Sequence, residues 1–91
     1  MNKAELVIAI ADKTQLTRKD AEAALTAAVE AMTAALAEGE RVQLVGFGSF
    51  EVRYRAERMG RNPKTGVEVP IPASKSPVFR CSKALKDAVN R

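Results

Sequence analysis

The chain has 91 residues, room for one domain, with three Phe and one Tyr as its only aromatic residues. It holds 15 Lys and Arg against 11 Asp and Glu, a single Cys and no His. That composition excludes His-based acid–base catalysis, a structural zinc site and an internal disulfide. Charge is unevenly placed. Residues 1–50 carry five basic and seven acidic groups, a net −2, and residues 51–91 carry ten and four, a net +6. A basic half joined to a mildly acidic one points first to a phosphate-rich partner and second to an anionic membrane surface. Much of the 46% hydrophobic content is alanine, which buries little area per residue. A monomeric core is therefore doubtful, and dimerisation is expected. Met1–Glu5 lacks the apolar run of a signal peptide, and no stretch is long enough to span a membrane, so a soluble, intracellular protein is expected.

Along the chain, Leu6, Val7, Ile10 and Ala11 fall on one helical face of residues 3–13, with Asn2 as N-cap. Thr17-Arg18-Lys19-Asp20 reads as a capping-box-like start. The helix behind it runs to about Glu38, where Gly39 supplies a stop. Its expected buried stripe is Ala21, Ala24, Leu25, Ala28, Val29, Met32 and Leu36. These helices form a hairpin through Thr14-Gln15-Leu16. The second is poor in Arg, Asn and Gln, the residues that read base edges, so it is read as structural rather than as a recognition helix.

Beyond Gly39 the period becomes two. Val42 and Leu44, then Phe50, Val52 and Tyr54, alternate with polar residues and predict two strands. Gly46-Phe47-Gly48 between them is a turn or close-approach segment and no nucleotide fingerprint, since a third glycine and a following helix are missing. The second strand runs on through Arg58 to an Asn62-Pro63-Lys64-Thr65-Gly66 turn, read as type I with positive φ at Gly66. The chain returns through Val67, Val69, Ile71 and Ala73, with Pro70 and Pro72 on the opposite face, which makes this an edge or a free ribbon. A short strand around Pro77–Arg80 precedes a last helix from about Ser82, with Ala84, Leu85, Ala88 and Val89 inward.

Five cations, Arg53, Arg55, Arg58, Arg61 and Lys64, stand against Glu57 in the outgoing half of this hairpin. A bare two-stranded ribbon is marginally stable in water, so it is expected to order on a partner. Duplex DNA suits it: a ribbon fits a groove, and arginine forks suit phosphates and narrow minor grooves. Pro63 could simply shape the turn, the simpler role on composition alone, or act as an apolar wedge between base pairs. Its cationic neighbours favour the wedge. Lys75, Arg80, Lys83 and Lys86 form a second basic group, which Lys3 could join; a solvated helix face is the plain alternative for Lys83 and Lys86. Lys13, Arg18, Lys19 and Arg41 are mixed with acids and are assigned to solubility. Cys81 is read as a packing residue.

The chain resembles the HU / integration host factor family of bacterial DNA-bending proteins over essentially its whole length. The resemblance rests on Val42-Gln43-Leu44-Val45-Gly46-Phe47-Gly48-Ser49-Phe50, on Gly60-Arg61-Asn62-Pro63-Lys64-Thr65-Gly66 and on Lys83-Ala84-Leu85-Lys86. It implies an α+β fold: an intertwined dimer with a helical base, a short antiparallel sheet saddle and protruding two-stranded β-ribbon arms. One domain, 1–91, would divide into a body (1–52 and 76–91) and an arm (53–75). The resemblance puts Pro63 at the intercalating position. Arg61, Asn62, Lys64 and Thr65 lie beside it, Arg53, Arg55 and Arg58 along the ribbon, and Lys3, Lys75, Arg80, Lys83 and Lys86 at body contacts with phosphates. Phe47, Phe50 and Phe79 match the aromatic centre of the dimer. Cys81-Ser82 stands where many members have Pro-Gly, and Met59 where many have a cation.

The expected function is therefore a histone-like, weakly sequence-selective binder and bender of double-stranded DNA, preferring bent, nicked or kinked forms. It would be a nucleoid-associated cytoplasmic homodimer without cofactor, metal or enzymatic activity. Open alternatives are an integration host factor-like subunit, a heterodimer with a paralogue, or a basic module for RNA or an acidic protein.

Overall fold

A computed structural model describes residues 1–91. The element order is α1 (Lys3–Thr14), α2 (Arg18–Ala37), β1 (Val42–Leu44), β2 (Gly48–Arg55), β3 (Arg58–Arg61), β4 (Glu68–Ile71), β5 (Ser74–Cys81) and α3 (Lys83–Val89). This is the expected α+β class. The chain forms two compact units, Met1–Ala35 and Leu36–Arg91.

The first unit is the helical hairpin. Asn2 caps α1 by accepting from the Glu5 N–H at 2.9 Å, and Thr17 Oγ1 accepts from Asp20 N–H at 3.1 Å at the start of α2. Gln15 closes α1 in the left-handed region at φ 63°, its N–H donating to the Ala11 carbonyl. Val7, Ala11 and Ala21 are buried, with Ile10 and Leu25 packed against them. The stripe expected on α2 is buried only in part. Leu25, Met32 and Leu36 are half-buried, whereas Ala24, Ala28 and Val29 are exposed. Periodicity identifies an apolar face, not what covers it, and a single chain offers too little surface to cover this one.

In the second unit β1, β2 and β5 form an antiparallel sheet in the order β1-β2-β5, and β3 pairs with β4 in a separate two-stranded sheet. The registers have a simple relation. β2 meets β5 from Gly48↔Cys81 to Arg55↔Ser74, and β3 meets β4 from Arg58↔Ile71 to Arg61↔Glu68. Every pair has the same index sum, so one hairpin register runs from body to tip with no inserted residue. Pairing lapses only at Ala56–Glu57 and Pro72–Ala73. The expected ribbon is thus two paired segments, and its free-standing part is β3–β4.

The prolines follow from the ladder. Asn62 N–H donates to the Val67 carbonyl at 2.9 Å, which makes Asn62:Val67 a hydrogen-bonded pair. Antiparallel pairs alternate, so Met59:Pro70 is a non-bonded pair and the Pro70 nitrogen faces the free edge. It costs no ladder bond, and Pro72 lies in the unpaired interval between β4 and β5.

Two further expectations change. The α3 N-cap is Ser82, whose Oγ accepts from Leu85 N–H at 3.1 Å, but only Leu85 is half-buried; Ala84, Ala88 and Val89 are exposed. Seven residues carried past the sheet find little apolar cover within one chain. The tip also differs from a simple type I turn: Gly66 N–H reaches back to the Asn62 carbonyl at 2.7 Å, an i→i+4 closure around Pro63–Gly66.

Candidate nucleic-acid interface

The tip is organised by its own side chains. Asn62 Oδ1 accepts from Lys64 N–H at 2.9 Å, and Thr65 Oγ1 accepts from Val67 N–H at 3.3 Å. These bonds offset the entropy of a four-residue loop, and Gly66 at φ 72° takes the left-handed position that a side chain would strain. Pro63 and Lys64 are exposed beyond the last ladder pair, while Asn62 is half-buried. Asn62 therefore has a structural task besides any contact with a ligand: Oδ1 is occupied.

Strand alternation sorts the cations of the ribbon. Opposed residues share a face, so in the β1-β2-β5 sheet Phe50, Val52 and Tyr54 lie with Lys75, Pro77 and Phe79, and in the β3-β4 sheet Arg58 and Gly60 lie with Val69 and Ile71. The other face of the larger sheet carries Arg53 and Arg55 with Arg80, Ser76 and Ser74, and the other face of β3-β4 carries Met59 and Arg61 with Pro70 and Glu68. Arg53 and Arg55 are thus brought into one line with Arg80. Lys75 lies on the Tyr54 face, its Nζ 5.8 Å from the centre of the Tyr54 ring. A charged face opposed to an apolar one therefore holds for Arg53 and Arg55 against Val52 and Tyr54. All these cations are exposed, and a desolvated guanidinium is costly, so their heads stay available to a polyanion.

Lys83 and Lys86 lie on α3, immediately after the strand that carries Arg80. Lys3 is the first residue of α1, in the other compact unit. Phe79 contacts both other aromatic residues of the trio, at ring-centre distances of 5.4 Å to Phe47 and 4.9 Å to Phe50. Phe47 and Phe79 nonetheless keep more than two-fifths of their surface exposed, 45% and 41%. Cys81 is exposed, which corrects its reading as a packing residue: it lies at the outer end of edge strand β5. Met59 is exposed on the face of Arg61.

Both ion pairs of the chain meet at one acid. Glu51 Oε1 lies 3.5 Å from Arg41 Nε, and Glu51 Oε2 lies 3.4 Å from Arg80 Nε. The acidic sequence neighbours of Arg41 alone assign it to solubility. Its position follows from the β1–β2 register, which pairs Val42 with Phe50 and so sets Arg41 opposite Glu51. Only the register, a long-range property, carries that signal. No helix is long and apolar enough to cross a membrane.

Known proteins resemble the chain along its length. The profile of the family described as bacterial DNA-binding protein matches residues 1–90. DNA-binding protein HU-1 of Halalkalibacterium halodurans is 58% identical over 90 residues, 99% of this chain and 100% of the relative. DNA-binding protein HU of Staphylococcus aureus is 57% identical over 89 residues, 98% of this chain and 99% of that one. Among solved structures, an Anabaena HU–DNA cocrystal matches with TM-score 0.86 at 50% identity, covering 98% of this chain and 97% of the other. HU from Thermotoga maritima matches with TM-score 0.68 at 37% identity, covering 98% of each. With its antiparallel saddle strands, exposed basic ribbon and full-length match, the chain belongs to the HU family of bacterial DNA-binding proteins.

Proposed function

We propose that this protein is a histone-like architectural factor that binds double-stranded DNA with little sequence selectivity and bends it. Its ribbon, residues 53–75, enters the minor groove, and Pro63 wedges between base pairs. The observation that carries this reading is the exposed Pro63 beyond the last pair of a two-stranded ribbon, with Arg61 and Lys64 on either side. A proline ring is apolar, rigid and free of an N–H, so it can replace stacking contacts without leaving a donor unpaired. Arg53, Arg55, Arg58, Arg61, Asn62, Lys64 and Thr65 follow the groove and its phosphates. Lys3, Lys75, Arg80, Lys83 and Lys86 extend the track over the body (1–52 and 76–91).

The acting unit is a homodimer. The half-exposed Phe47 and Phe79, the exposed Val45 and the bare apolar face of α2 support it, because a second copy would remove that surface from water. Two ribbons held by one body favour bent, nicked or kinked duplexes, whose unstacking cost is already partly met. The site of action is the nucleoid, in the cytoplasm. Titrating a linear duplex across a salt series tests the reading. With about eight phosphates neutralised, log K falls against log salt with a slope near −7; a flat response would refute it.

A further inference from the structure

Arg41 and Glu51 have no part in the track just described, yet they are joined to it through Arg80. The three side chains form a row across the sheet: Arg41 flanks edge strand β1, Glu51 sits on central β2, and Arg80 on edge strand β5. Alternation puts this row on the face of Arg53 and Arg55. Each guanidinium meets a different carboxylate oxygen through Nε, at 3.5 and 3.4 Å. Those separations exceed the roughly 2.7–2.9 Å of a tight charge-assisted hydrogen bond. The side chains are 58% (Arg41), 65% (Arg80) and 34% (Glu51) exposed, so water screens the pairs and they contribute little to stability. Beside them opens a cleft of about 320 Å³ lined by Arg41, Gln43, Ser49, Arg80 and Ser82 among others. Two cations, several hydrogen-bonding side chains and one loosely held acid make a seat for an anion that can displace a carboxylate.

We propose that Arg41 is a DNA-phosphate contact, paired with Arg80 through Glu51 in the free protein and released to a backbone phosphodiester on binding. The inference rests on duplex DNA being the ligand. Glu51 is then an internal competitor. It reduces the local charge from +2 to +1, keeps two like charges together without DNA, and opposes the phosphate that replaces it. Affinity over the body is therefore held below what its cations alone would give, leaving more of the binding to the ribbon.

The test uses full-length Arg41→Gln, Arg41→Lys and Glu51→Gln on one linear duplex over a salt series. Arg41→Gln is expected to weaken binding about three- to tenfold at low salt and to reduce the slope by about 0.9 for each seat engaged. Arg41→Lys keeps the slope, because a point charge still neutralises a phosphate. Glu51→Gln tightens binding about three- to tenfold. An Arg41→Gln variant with unchanged slope, or a Glu51→Gln variant that binds more weakly, overturns the proposal. A steep slope in the parent protein alongside either result overturns it alone, whereas a flat slope in the parent overturns the DNA-binding reading itself.

Discussion

Gly48 lies directly against Phe79. A methyl group on its Cα would fall 2.6 Å from the Phe79 Cζ and 2.5 Å from the Arg80 carbonyl oxygen. Phe79 also stacks at a tilt on Phe47 and Phe50, so this glycine is the floor on which the aromatic trio rests. The backbone oxygen cannot move without breaking the Ser49↔Arg80 register. Gly48→Ala is expected to destabilise by about 1–3 kcal/mol through overpacking, read as a lowered midpoint in thermal or urea unfolding.

Ser82 ends a strand and begins a helix within one residue. Its Oγ bond to Leu85 N–H serves a seven-residue helix with no fully buried side chain. A helix so short depends heavily on its cap. Ser82→Ala should cost about 1 kcal/mol, and Ser82→Asp should recover most of it. Denaturant titration of the three proteins separates these outcomes.

Gln15 occupies the left-handed conformation at the end of α1, where a residue with a Cβ is disfavoured by about 1–2 kcal/mol relative to glycine. Its side-chain bond to the Asp12 carbonyl at 3.0 Å offsets part of that. Gln15→Gly should leave the fold intact and raise stability by up to about 1 kcal/mol, measurable as a higher unfolding midpoint.

The helix starts were legible because caps are local: Asn2, Thr17 and Ser82 each bond an N–H three residues on. The strands and tip turn were legible from alternation and from Asn62, Pro63 and Gly66. Partners were not. Ala24, Ala28 and Val29 lie on the right face of α2 but have no cover in a single chain. Arg58 lies in the two-stranded sheet beyond the unpaired Ala56–Glu57, a break that its sequence proximity to Arg53 and Arg55 does not signal. Arg41 met Glu51 only once β1 had a register. The lapse at Ala56–Glu57 has no counterpart in the alternating pattern that runs through it.

A second copy covering Phe47, Phe79 and Val45 would couple folding to association. The thermal midpoint should then rise with protein concentration, since mass action favours the associated native state. Phe79→Ala should lower it by an amount matching a loss of about 3–5 kcal/mol, with dissociation seen in sedimentation. A midpoint independent of concentration across a hundredfold range would rule out an obligate dimer.

Bending by the ribbon tip is tested most directly by comparing Pro63→Ala with the parent protein on an intact linear duplex and on the same duplex carrying a nick or a preformed kink. The loop's bonds at Asn62, Lys64 and Gly66 do not involve the Pro63 side chain, so the turn should survive the change. The wedge account requires a larger loss of affinity on the intact duplex, where unstacking of a few kcal/mol per step must be met in full, and a smaller bend by end-to-end energy transfer. Equal losses on both duplexes, with the bend unchanged, would contradict it.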